Sequence, residues 1–309
     1  MSPKQPRRKP RIVTPLAAPI VDPELQLDFP LDEHEVRAYV REALDEDHAF
    51  KDVTTIATVL SDRRARATLV ARQDGVIAGV PFALEALRTL DPTVTIRVDV
   101  DDGGRVQSGA SVFYISGHAR GMLSAERVAL NFMQRLSGIA SLTRRFVDAI
   151  AGTGAKILDT RKTTPGWRAL EKYAVRAGGG VNHRMDLASA VLIKDNHLAA
   201  VEGDIALAVR RAREVARPGA RVEVECDRVE QVDAAVAAGA DIIMLDNMST
   251  AMLRDCVKRV GGKAILEASG GVSLTTVRAI AETGVDWISV GALTHSAPAL
   301  DLALDFTTV

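Results

Sequence analysis

The sequence predicts an α/β protein in two parts, an N-terminal α+β layer followed by a run of parallel βα units. Two observations carry that reading. The first half shows strict apolar alternation and glycine-rich turns, the grammar of antiparallel strands. The second half repeats six short apolar runs, roughly 20 to 35 residues apart, with Ala-rich helical stretches between several of them. A third observation, that chemically capable side chains sit at the ends of many of these runs, favours a barrel over an open doubly wound sheet, although the pattern fits both.

The elements follow in order. Residues 1–30 are proline-rich with little periodicity and read as an arm, and the cations Lys4, Arg7, Arg8, Lys9 and Arg11 there read as solvated. Residues 31–135 form the first domain. Its opening helix carries Val36, Tyr39, Val40, Ala43 and Leu44 on one face. Ala65 to Arg72 is a strand, Pro81 opens a helix, Val94 to Val100 alternates, and Val112 to Ile115 is a second strand. A long helix begins at Ser124 as N-cap, and Gly138 is a candidate kink within it. Residues 136–295 form the barrel domain. Its strands lie at Lys156–Asp159, Val191–Lys194, Val222–Glu225, Asp241–Asp246, Ala264–Glu267 and Trp287–Val290, with helices at Ile205 to Val215 and Val229 to Ala238. The tail, residues 296–309, packs back on the first domain.

Composition excludes several function classes. With 309 residues, 47% hydrophobic content and a net charge of -1, the chain has the core of an ordinary two-domain protein and no general pull toward nucleic acid or a membrane surface. No apolar run reaches the length of a membrane span, and no apolar segment follows the basic N-terminus as a secretory signal requires. Two cysteines, Cys226 and Cys256, lack metal-type spacing and fit a reducing, cytoplasmic setting.

The chemistry gathers after the first barrel strand. Between Asp159 and Asp195 stand Arg161, Lys162, Arg168, Lys172, Arg176, Arg184 and Lys194, against four acids. Strand ends converge on a barrel mouth, so Arg161, Lys162 and Lys194 point to a multiply anionic ligand, while Lys172 and Arg176 read as a solvated helix face. Gly178-Gly179-Gly180 either caps a helix or closes a loop bearing His183 and Arg184 on an anion. Glu225 and Asp246 end two strands on the acidic side, suited to ribose hydroxyls, Mg²⁺ or a cationic sugar carbon. Ser269-Gly270-Gly271 and Val290-Gly291-Ala292 stand where backbone amides cradle a phosphate in barrels. The residues alone name no reaction.

Several stretches together resemble the quinolinate phosphoribosyltransferase family. They are Asp52-Val53-Thr54-Thr55, Glu126-Arg127, Gln134 to Ala140, Thr160-Arg161-Lys162-Thr163-Thr164-Pro165-Gly166, Gly178 to Arg184, Leu192 to His197, Leu245 to Met248, and Val290 to His295. The resemblance covers most of residues 50–297 and implies a type II phosphoribosyltransferase fold: an N-terminal α/β sandwich and an open, incomplete α/β barrel. It implies phosphoribosyl transfer from phosphoribosyl pyrophosphate (PRPP) to quinolinate with decarboxylation, Mg²⁺ bound with PRPP, and no organic cofactor. Arg127, Arg161, His183, Arg184 and Lys194 would grip quinolinate, Arg127 from a partner subunit of a homodimer, itself alone or within a hexamer. Thr160, Lys162, Glu225, Asp246, Ser269, Gly270, Gly271, Val290, Gly291, Ala292 and His295 would take PRPP, with Lys162, Glu225 and Asp246 catalytic and Glu225 and Asp246 candidate Mg²⁺ ligands. One departure stands out: Lys51 precedes Asp52 where the family usually has glycine. Competing readings are a paralogous type II enzyme acting on another anionic ring, and a Schiff-base lyase using Lys194.

Overall fold

A computed structural model describes residues 27–308 of the chain. The basic stretch from Lys4 to Arg11 lies outside them. The first helix, α1 (Glu33–Glu46), starts where Asp32 accepts from the Glu35 amide and Glu35 answers the Asp32 amide, a reciprocal cap that satisfies two otherwise orphaned donors. Its buried Val36, Val40 and Leu44 face the first domain.

That domain is an antiparallel sheet of β1 (Arg64–Ala71), β2 (Thr95–Val98), β3 (Ser111–His118) and the tail strand β10 (Leu302–Thr308), in the order β10-β1-β3-β2. Ala65, Ala67, Leu69 and Ala71 alternate inward along β1, as a strand with one buried face requires. The helices α2 (Val80–Leu90) and α3 (Ala119–Ala149) complete the layer, Leu87, Met122, Met133 and Leu136 being buried in its core.

Two expectations about α3 fail. Its N-cap is His118, and Ser124 lies inside the helix with its hydroxyl donating to Asp52 Oδ2 at 2.9 Å. The cap signature misled because Ala119 to Leu123 extends the helix by more than a turn and buries Ala119, Gly121 and Met122. Gly138 does not interrupt α3: a Cβ there would sit 2.1 Å from the Pro298 carbonyl oxygen, so the glycine serves close approach of the tail segment. The Lys51 departure is absorbed locally. His48 takes a left-handed conformation (φ 51°), a short 3₁₀ turn Ala49–Lys51 follows, and Asp52 then caps the helix Val53–Thr58.

The second half contains six parallel strands, β4 (Lys156–Leu158), β5 (Val191–Ile193), β6 (Val222–Cys226), β7 (Ile242–Asp246), β8 (Ile265–Ser269) and β9 (Trp287–Ser289). Their order is β4-β9-β8-β7-β6-β5, so β4 and β5 are both edges and the barrel is open between them. The segment around Val181 half-fills the gap, its amide donating to Ile157 O at 2.8 Å beside β4. All six strands end on one side, which is where the functional residues collect. Among the described residues, no helix is long and apolar enough to cross a membrane.

Candidate active site

The strand ends surround one cavity of about 760 Å³. Thr160, Arg161 and Lys162 enter from the loop after β4, His183 and Arg184 from the segment in the gap, Lys194 from β5, Glu225 from β6 and Asp246 from β7. Ser269, Gly270 and Gly271 after β8, with Val290, Gly291, Ala292 and His295 after β9, close the remaining side. Arg127 is the exception. It is exposed on α3, is not part of this cavity, and makes no ion pair or hydrogen bond among the described residues.

The loop after β4 is held from below. Lys172 is 1% exposed, and its ammonium contacts Asp159, which is 0% exposed. Reading Lys172 as solvated was therefore wrong: helix α4 (Arg168–Ala177) turns that face inward and a buried acid receives it. Arg176 is likewise half-buried, donating to the Asp28 carbonyl at 2.7 Å. Asp159 also accepts from Asn182 Nδ2 at 2.6 Å and the His183 amide at 2.8 Å. Burial pushes the Asp159 carboxyl up and the Lys172 ammonium down, and their mutual contact opposes both shifts. The three glycines do cap α4, and in doing so deliver His183 and Arg184 to the mouth.

A second brace crosses the two halves. Arg135 on α3 grips Glu171, 0% exposed, with Nη2 at 2.6 Å, and Glu171 also accepts the Thr164 amide at 3.1 Å and hydroxyl at 2.8 Å. The rings of Phe82, Phe132 and Trp167 stack in series, and Tyr39 donates to the Gly166 carbonyl at 2.7 Å. The loop bearing Arg161 and Lys162 is thereby set by the first domain as well as by the barrel.

Charge divides the mouth. Arg161, Lys162, Arg184 and Lys194 make one side cationic; burial, then Arg161, hold the Arg184 guanidinium below its usual range. Opposite them stand Glu225, whose Oε2 accepts from Lys194 Nζ at 2.6 Å, and Asp246, whose Oδ2 accepts from Asn247 Nδ2 at 2.7 Å. Asn247 stands at φ 55°, and a Cβ at Gly270 would lie 2.1 Å from its Oδ1, so only glycine fits beside it. One oxygen of each carboxylate has no partner among the described residues, hard donors of the kind Mg²⁺ takes.

The sequence reading missed Asn247 and two acids, Glu223 and Glu267. Glu223 and Glu267 are 2% and 0% exposed and approach His183 Nε2 to 3.1 and 3.5 Å. Burial lowers the His183 imidazole and Glu223 and Glu267 raise it, but the Arg184 amide donates to Nδ1 at 2.8 Å and needs that lone pair, so the ring is neutral with its proton on Nε2. Burial in turn pushes the Glu223 carboxyl up. The missed acids sit at alternate strand positions beside Glu225 and Ser269, and alternation was the signal that they too face the barrel interior.

Comparisons with known proteins identify the family. The family model for the quinolinate phosphoribosyl transferase N-terminal domain matches residues 52–137, and that for the C-terminal domain matches residues 139–305. The chain belongs to the quinolinate phosphoribosyltransferase family. A nicotinate-nucleotide pyrophosphorylase (carboxylating) of Mycobacterium leprae is 48% identical over 275 residues, 87% of this chain and 96% of that one. A probable counterpart from Bacillus subtilis is 43% identical, over 85% and 90% of the two chains. The solved nicotinate-nucleotide pyrophosphorylase of Francisella tularensis superposes with a TM-score of 0.85 at 42% identity, over 90% of this chain and 98% of that chain. Family membership settles the architecture as a sandwich domain joined to an open barrel, and makes the chain a pentosyltransferase.

Proposed function

We propose that the cavity performs the reaction of the family: the phosphoribosyl group of PRPP passes to quinolinate, carbon dioxide leaves, and nicotinate mononucleotide and pyrophosphate result. The single observation that carries this is the division of the mouth into a four-cation side and a two-carboxylate side flanked by two glycine loops. Arg161, Arg184 and Lys194 face the two ring carboxylates, with His183 beneath Arg184 holding its backbone; two charges that must lie side by side need such a set. Lys162 and Thr160 take the pyrophosphate, Glu225 and Asp246 the ribose hydroxyls, and Ser269 to Gly271 with Val290 to Ala292 and His295 the 5′-phosphate. Glu225 and Asp246 would hold Mg²⁺ brought with PRPP, and the ion would supply neutralising charge to the diphosphate.

As pyrophosphate departs, positive charge grows at the ribose C1 and the carboxylates opposite stabilise it. The ring nitrogen attacks C1 and becomes cationic. The C2–carboxylate bond then breaks with its electron pair left on C2, beside that positive nitrogen, and a proton replaces the lost group. A cationic side that grips too tightly would oppose that departure, so part of its charge must be offset.

We place Arg127 in the mouth of a partner subunit. Phe50, Val53, Ile56 and Leu60 are exposed apolar residues tied to α3 by Arg120, which donates to Val59 O at 2.8 Å and Ile56 O at 3.2 Å. Arg127 lies about two turns further along the same helix, so an apolar patch suited to a second copy sits beside it. Reduced, buried Cys226 and Cys256 fit a cytoplasmic enzyme.

Incubation with quinolinate, PRPP and Mg²⁺ should yield nicotinate mononucleotide and carbon dioxide in equal amounts; their absence rejects the assignment. Nicotinate should be a poor substitute, by about 10⁴-fold in kcat/KM, because it leaves buried cations unpaired. Comparable turnover of the two acids would show instead a paralogous specificity.

A further inference from the structure

Two buried carboxylates, Glu267 in the cavity wall and Glu223 beside it, have no part in the reaction as proposed. Glu223 in β6 and Glu267 in β8 point into the barrel, and both converge on His183 Nε2. Neither contact is a well-formed hydrogen bond, and Glu223 Oε1 and both Glu267 oxygens have no hydrogen-bond partner among the described residues. Carboxylates this dry and this poorly paired are costly, and a fold selected for stability alone would place apolar side chains there.

Three such ligand atoms within 4.8 Å of one another admit either a metal ion or a proton between them. The other imidazole nitrogen decides. The Arg184 amide donates to His183 Nδ1 at 2.8 Å, so Nδ1 is an acceptor and the ring proton sits on Nε2. A protonated Nε2 has no lone pair for a metal, and it points at the two acids.

We propose that Glu223 and Glu267 are positioning residues for quinolinate binding, holding the His183 ring electrostatically with its Nε2–H turned toward them and, through the Arg184 amide on Nδ1, fixing the base of Arg184. His183 is then pinned on every side. Its amide is held by Asp159, its carbonyl by Lys172 Nζ at 3.1 Å, and its ring by the acid pair. The charged groups around it are Glu223, Glu267, Asp159, Lys172, Arg161 and Arg184. The same acid pair places negative charge under the cationic side, limiting the grip on a carboxylate that must leave. The inference rests on the quinolinate reading above.

The test measures quinolinate binding and Mg²⁺–PRPP binding separately by calorimetry on the full chain. Glu267→Ala should weaken quinolinate by about 10- to 100-fold, the effect of stripping a buried charged partner, and leave PRPP affinity within about twofold. Glu267→Gln keeps an acceptor and should recover most of the loss. In a His183→Ala background, Glu267→Ala should cost nothing further, since it acts through the missing ring. If Glu267→Ala does not fold, Glu267→Met, closer in volume, carries the same comparison. Equal weakening of both ligands, additive losses in the His183→Ala background, or a Glu267→Gln protein as weak as Glu267→Ala would each overturn the proposal. Stoichiometric zinc or manganese lost on Glu267→Gln would overturn it in favour of a metal site. Failure of the wild-type protein to bind quinolinate would reject the functional reading, whereas wild-type binding with indifferent Glu267 variants rejects this inference alone.

Discussion

Asp91 in the first domain and Glu267 in the barrel are both buried carboxylates, and they are treated in opposite ways. Asp91, 4% exposed, accepts from the Thr93 amide at 3.0 Å and hydroxyl at 2.7 Å, and from the His118 amide at 2.7 Å. Burial would raise it, but those donors from Thr93 and His118 hold it at about 2. Glu267 has no such donors among the described residues. The difference separates a charge that ties structure together from a charge kept for the site. A satisfied acid pins the end of α2 to the start of α3; an unsatisfied one faces a cavity full of cations.

The largest effect should come from the cavity. Lys162→Ala should lower kcat/KM by about 10²- to 10³-fold, as removal of one preorganised charge-stabilising group does, with the melting temperature unchanged. A parallel fall in melting temperature would blur the distinction between site and scaffold.

Arg127 sharpens it further, since it belongs to the scaffold domain of its own chain. In the homodimer proposed above, Arg127→Ala and Lys162→Ala proteins should each be nearly inactive. After subunit exchange, random pairing makes about half the dimers mixed, each with one intact site, so activity should return to about a quarter of wild type. No recovery after proven exchange would place Arg127 in service of its own chain.

Gly138→Ala should act in the reverse sense. Its Cβ would strike the Pro298 carbonyl, and displacing that segment should cost about 1–3 kcal/mol of stability, read from denaturant midpoints.

The mildest test is Asp91→Asn at neutral pH, with a loss of about 1 kcal/mol and near-normal kinetics. Its signature lies in acid. The folded Asp91 is depressed to about 2, below the ordinary 3.8, so its stabilisation is present above about pH 4 and is lost as pH falls toward 2. The wild-type protein should therefore lose more stability than Asp91→Asn across that window, and parallel acid profiles would contradict the assignment.

Patterns of period two and of strand–helix recurrence made all six barrel strands legible, because a parallel strand buried on both faces must be an apolar run whatever surrounds it. The cations and glycines at the strand ends were legible too, because they follow those runs directly in sequence. Less was visible where a residue's meaning depends on what faces it. Lys172 looked solvated because helical spacing says which face it shares, while Asp159, a strand end away, is what allows that face to be buried. Ser124 offered a good cap in a place where the chain was already helical.

The sequence by itself therefore determined the element order, the parallel second half and the cation-rich mouth, since these rest on local periodicity and on side chains adjacent to strand ends. Only the tertiary structure decided which charges are buried, that the barrel's opening lies between β4 and β5, and that Glu223 and Glu267 meet at one imidazole. Desolvation and pairing depend on distances between strands that are remote in sequence, and no single stretch of chain encodes them.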